Sequence, residues 1–153
     1  SLLASEDWEQ AKVLFRQTLA ENPDHPAALL GLARAHLAEG NAVAALPILR
    51  EFPISKEYAS AEVLLPFAAA LAEQDFGELN EDDEQALLYA NALRLAGRGQ
   101  LLAAMDGLLD LLRGAKNYRK GEARKVMLGI LQVLGDENPA TRQYRADLAR
   151  LLF

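Results

Sequence analysis

The chain has 153 residues, more than a third of them Ala or Leu, with 16 basic against 22 acidic residues, a formal charge of −6 and no cysteine. So much Ala and Leu, with few β-branched or aromatic residues, predicts an all-α fold: one compact unit or a short repeat array. The acidic balance argues against general nucleic-acid binding, the lack of cysteine excludes disulfides and CxxC chemistry within these residues, and no apolar run is long enough to span a membrane.

The charge is uneven: 5 basic and 11 acidic residues up to Phe76, then 11 and 11 after it. No signal peptide is visible, so a soluble cytoplasmic protein is expected. The chain opens directly in helical sequence without an initiator Met, which suggests a piece of a longer protein.

In chain order, residues 8–20 read as a helix. Asn22, Pro23, Asp24, His25 and Pro26 follow as a turn, the prolines stopping one helix and Asp24 or His25 leading into the next. Residues 29–39 and 43–51 form a helical pair. Leu29, Leu32, Ala33 and His36 share one face, Gly40 and Asn41 make the turn, and Ala45 and Leu49 begin the second face. Pro47 should bend the second helix or delay its start, and residues 52–55 form a loop. Residues 59–74 are apolar and interrupted by Pro66, which predicts a kinked helix or two shorter pieces. After a connector over 76–79, residues 80–84 open a long helix to Ala96. Here Ala86, Tyr89, Ala90 and Leu93 repeat the pattern of Leu29, Leu32, Ala33 and His36, and Gly97 matches Gly40. Residues 101–112 give its partner helix, with Ala103 in the small position if the turn holds one extra residue. A basic connector over 116–121 leads to an amphipathic helix over 123–134. Gly135 closes it, Asn138 caps the last helix, and Pro139 is its first residue. That helix should bury Tyr144, Leu148, Leu151 and Leu152.

The spacing of large and small residues over 29–49 is that of the tetratricopeptide (TPR) hairpin. Ala11 and Ala45 are 34 residues apart, as are Phe15 and Leu49, which is the TPR period. Residues 8–20 therefore resemble the second helix of such a hairpin. Gly40 and Gly97 are 57 residues apart where two periods need 68, so the middle hairpin should be eleven residues short and lack most of its second helix. The expected fold is a right-handed TPR-like solenoid of seven or eight helices: repeats over 1–115 and a capping helix pair over 116–153.

The C-terminal segment resembles the bacterial thioredoxin–TPR fusion proteins, the YbbN-type chaperedoxins. The resemblance rests on Ala123, Arg124 and Lys125, then Leu134 and Gly135, Glu137, Asn138 and Pro139, Tyr144 and Arg145, and the terminal Leu151, Leu152 and Phe153. Residues 32–40 and 86–99 are also similar to that family. The resemblance implies an N-terminal thioredoxin-like domain outside these residues. It further implies a holdase that binds unfolding or oxidised clients and passes them to the chaperonin and the Hsp70 machinery. The rival expectation is a structural adaptor that assembles a complex or a homo-oligomer.

An enzyme is not expected. Ser5, Ser55, Ser60, Thr18 and Thr141 are scattered, with no base at motif spacing, and the glycines at 97 and 99 are too few for a phosphate loop. No metal or cofactor is expected either: His25 and His36 stand in a turn and a packing slot, and the acidic run over 78–84 reads as helix capping. Two surfaces remain as candidates for protein binding. Arg34, Leu37, Asn91, Arg94 and Leu95 fall at first-helix positions that line the inner face of TPR arrays. Arg113, Lys116, Arg119, Lys120, Arg124 and Lys125 form a basic stretch that could dock an acidic partner.

Overall fold

The computed structural model describes residues 5–73 and 83–152. Their regular structure is all helical, in eight elements: α1 (Ser5–Glu21), α2 (Pro26–Ala38), α3 (Ala42–Arg50), α4 (Tyr58–Glu73), α5 (Glu84–Gly97), α6 (Leu101–Gly114), α7 (Tyr118–Leu134) and α8 (Pro139–Leu152). The expected connector over 76–79 and the helix opening at 80–82 lie outside the described residues.

The helix starts follow from local chemistry. His25 caps α2, its Nδ1 accepting from the Ala28 N–H at 3.1 Å. Asn41 and Asp83 cap α3 and α5 through their side-chain oxygens, accepting from Ala44 N–H at 3.2 Å and Ala86 N–H at 3.0 Å. Asn138 Oδ1 accepts from Ala140 N–H at 2.9 Å at the start of α8. Pro47 neither delays nor ends α3, which begins at Ala42 and runs to Arg50. Likewise α4 is one helix through Pro66 and not two pieces. A single proline removes one backbone bond, and the buried Leu64, Phe67 and Ala68 around it hold the helix in place.

Consecutive helices pack as α1–α2, α2–α3 and α3–α4, and α5 packs on α6. This is the expected TPR-like array. Lys12 ties α1 to α2, pairing with Glu9 on its own helix and with Glu39 at the far end of α2. The turns of the two complete hairpins meet. Gly40 has φ +80°, and a Cβ there would run into the Gly97 carbonyl; Gly99 has φ +78° beside the Ala38 carbonyl. Both positions therefore require glycine.

This corrects the register of the second hairpin. The glycine equivalent to Gly40 is Gly99 and not Gly97, because α5 runs through Gly97 before it turns. The two turns are then equal in length, residues 39–41 and 98–100, and the two extra residues belong to the end of α5, so the buried small residue is Ala104, at 0% exposure, while Ala103 is exposed.

The C-terminal pair follows α6, with α8 resting on α6 and α7. Tyr144 fastens α8 by donating its hydroxyl to Asp106 Oδ1 at 2.6 Å, and burial together with that bond pushes its pKa up to about 12. Leu148 is the one fully buried apolar side chain of α8, while Tyr144, Leu151 and Leu152 are half-buried. The principal partner of α7 is further away. It packs along α4, whose next described neighbour in sequence is α5. The two cross at Gly129, where an added Cβ would stand 2.6 Å from Phe67 Cβ and 3.2 Å from the Val63 carbonyl. The α7 side chains Ala123, Val126, Met127, Ile130, Leu131 and Val133 are all at 0% exposure. A helix near the end of the chain is thus central to the core.

Candidate functional site

The inner-face residues separate once the chain is folded. Leu37 is fully buried and cannot line an open groove. Arg34 is half-buried and donates from Nη2 to the Val133 carbonyl at 3.0 Å, satisfying the C-terminal end of α7. Burial pulls the Arg34 pKa below its ordinary value, and that carbonyl is its acceptor. At α2, therefore, the expected groove is the seat of α7. On α5, Asn91 is exposed and accepts from Arg94 Nη1 at 2.7 Å, while Leu95 packs half-buried against the core. Arg94 also borders a hollow of about 410 Å³ with Gly40, Leu71, Leu93, Gly97 and Arg98.

The six basic residues also divide. Arg113 pairs with Asp110 on its own helix. Arg119 pairs with Glu122 at 3.0 Å and lies 5.3 Å over the Tyr89 ring. Lys116, Lys120 and Lys125 are exposed and Arg124 is half-buried, and none of the four has an ion pair among the described residues. Four cations therefore remain available around the start of α7.

The backbone there is unusual. Arg119, Lys120 and Gly121 take φ of 49°, 59° and 89°, a left-handed turn that precedes the regular part of α7. Two non-glycine residues in this region cost about 1–2 kcal/mol each. A clasp offsets that cost: the Tyr89 hydroxyl donates to Glu122 Oε2 at 2.6 Å, and the Tyr118 ring packs 5.4 Å from the Tyr89 ring. Burial, and then the bond to Glu122, push the Tyr89 phenol pKa well above its ordinary value. From the sequence Tyr89 reads only as a packing residue, and nothing there sets Glu122 apart. The signal was available, since a buried phenol needs an acceptor.

His36 occupies a packing slot at 7% exposure, with its Nδ1 buried and without a hydrogen-bond partner. Among the described residues no three His, Cys, Asp or Glu side chains gather to hold a metal ion, and no helix is long and apolar enough to cross a membrane.

Helical hairpins packed side by side, each contacting its neighbours, define the class of α-helical repeat protein. Residues 69–153, more than half of the chain, match a family model described as tetratricopeptide repeat, and residues 2–56 match a second one. The chain belongs to the tetratricopeptide repeat family. No curated protein and no solved structure matches it. Tetratricopeptide repeats mark a protein–protein interaction module.

Proposed function

We propose that this module is the non-catalytic binding region of a thioredoxin-linked chaperone of the cytoplasm. In this reading it holds unfolding or oxidised clients and passes them to the chaperonin and the Hsp70 machinery. The observation that carries the reading is the C-terminal signature over 123–153, set within a chain whose two halves both match tetratricopeptide repeats. Lys116, Lys120, Arg124 and Lys125, which form no ion pair among the described residues, supply a basic surface for an acidic partner. Client capture falls to the outer surfaces, because Leu37 is buried and Arg34 is engaged by the end of α7.

The test is suppression of aggregation of a heat-unfolded client by the whole protein. Protection that weakens on Lys116→Glu with Lys120→Glu supports the reading, and no protection by the unaltered protein overturns it. A second reading, a structural adaptor or homodimer, is favoured by α1, whose Val13 and Leu14 are 50% and 63% exposed. Sedimentation that depends on protein concentration and is abolished by Leu14→Glu would support it over the first.

A further inference from the structure

The α4–α7 crossing leaves a groove on the outside of the molecule. Ala59, Glu62, Val63 and Pro66 form one wall, Lys125 and Leu128 the other, and the hollow measures about 410 Å³. The α4 residues recur at i, i+3, i+4 and i+7 and the α7 residues at i and i+3, so the groove follows the helix axes for about two turns. Its floor is apolar. Val63 is 39% exposed, and Tyr58 stands one turn before Glu62, with Ile54 almost wholly exposed in the preceding loop.

The charges on the two walls are opposite. Glu62 lies on α4 and Lys125 on α7, both exposed, and neither forms an ion pair among the described residues. Pro66 adds a polar feature: lacking an N–H, it leaves the Glu62 carbonyl without its usual i+4 donor. A trough between two helices, with an apolar floor and one edge of each sign, fits a third helix of complementary pattern.

We infer that this groove docks an amphipathic helix of a partner protein, one with an apolar seam flanked by a basic stripe on one side and an acidic stripe on the other. The basic stripe faces Glu62 and the acidic stripe faces Lys125, so the charges fix which way the helix runs. Turning the helix end for end exchanges its stripes. The inference rests on the protein-binding reading of the repeats and is independent of the chaperone reading.

The experiment uses a fluorescent synthetic helix with a leucine seam, a lysine stripe and a glutamate stripe, titrated by anisotropy at low salt against the whole chain. Val63→Asp should weaken binding about tenfold or more, the scale of one lost apolar anchor that becomes a buried charge. Glu62→Lys and Lys125→Glu should each weaken it about threefold, as exposed ion pairs do. The double exchange Glu62→Lys with Lys125→Glu should restore affinity to near the original, with the peptide reversed. Unchanged binding by Val63→Asp overturns the site, and a double exchange no better than the single changes overturns the charge reading. Concentration-dependent sedimentation that disappears in Val63→Asp would assign the groove to a second copy of this chain and overturn the partner helix. Failure of the aggregation assay with normal peptide binding would remove the chaperone reading and leave the groove standing.

Discussion

Replacing Gly129 with alanine tests the pairing on which the core depends. The added methyl would lie 2.6 Å from Phe67 Cβ and 3.2 Å from the Val63 carbonyl oxygen. Carbon atoms in contact sit about 3.5–4.0 Å apart, so the helices would have to part by about 1 Å. Neither neighbour can swing aside: one is backbone, and the other is the first carbon of a fully buried side chain. Overpacking costs about 1–3 kcal/mol, and a 2.6 Å contact with an atom that cannot move falls at the upper end, about 2–3 kcal/mol. Alanine recovers about 1 kcal/mol of helix propensity over glycine, leaving a net loss of about 1–2 kcal/mol. At about 2–4 °C per kcal/mol for a chain of this size, Tm should fall by about 2–8 °C. Gly107 on α6 provides the control, because its added Cβ would meet Ala92 Cβ at 3.5 Å, an ordinary contact. Gly107→Ala keeps the propensity gain and should raise Tm by about 2–4 °C. Thermal melts followed by far-UV circular dichroism decide the matter. If Gly129→Ala also raises Tm, α7 does not cross α4 at this point.

Three further outcomes follow from the same geometry. Arg34→Met keeps the stem but removes the bond to the Val133 carbonyl; it should cost about 1–2 kcal/mol and speed amide hydrogen exchange in the last turn of α7. His36 is held below its ordinary pKa by burial, and then by Lys12 and Arg16, with Glu9 opposing them. The unfolded chain therefore binds the proton more readily, so the stability from neutral His36 is full above about pH 6.5 and lost as pH falls toward the depressed folded value. Urea midpoints should drop across that window, and His36→Phe should flatten the drop. Tyr89→Phe removes the hydroxyl that holds Glu122, leaving the left-handed residues at 119 and 120 less well supported. Limited trypsin digestion should then cut faster after Arg119 and Lys120, while global stability falls by only about 1 kcal/mol.

Elements governed by neighbours in sequence were legible. The α2–α3 hairpin, the cap at Asn138 and the loop over 52–55 all follow from patterns a few residues long, while the sequence left Asp24 and His25 as alternatives for the start of α2 and the structure shows His25. The second hairpin was legible in kind but displaced in register. Nothing local tells whether the helix stops before Gly97 or runs through it to turn at Gly99, and only the positive φ at Gly99 fixes it. The candidate groove at Leu37 failed for a different reason. The face a helix presents is set by what packs on it, and the helix that engages Arg34, one turn from Leu37, lies about a hundred residues along the chain. One hint was present: Gly129 interrupts an otherwise strong helical pattern, which signals close approach of another backbone without naming it. The groove between α4 and α7 could not be read at all, since its walls come together only in the folded chain.

The α4–α7 crossing also sets a clock on biosynthesis. Phe67 and Gly129 are separated by 62 residues, which a ribosome adds in roughly 3–12 s. An ordinary repeat array can settle each hairpin against the one before it as the chain emerges. Here α4 emerges with its side chains ready to pack and must wait for α7 before Phe67 meets its counterpart. A nascent chain interrupted anywhere in that interval carries an uncovered apolar helix, so a premature stop before residue 129 should yield an aggregation-prone product instead of a shorter working array.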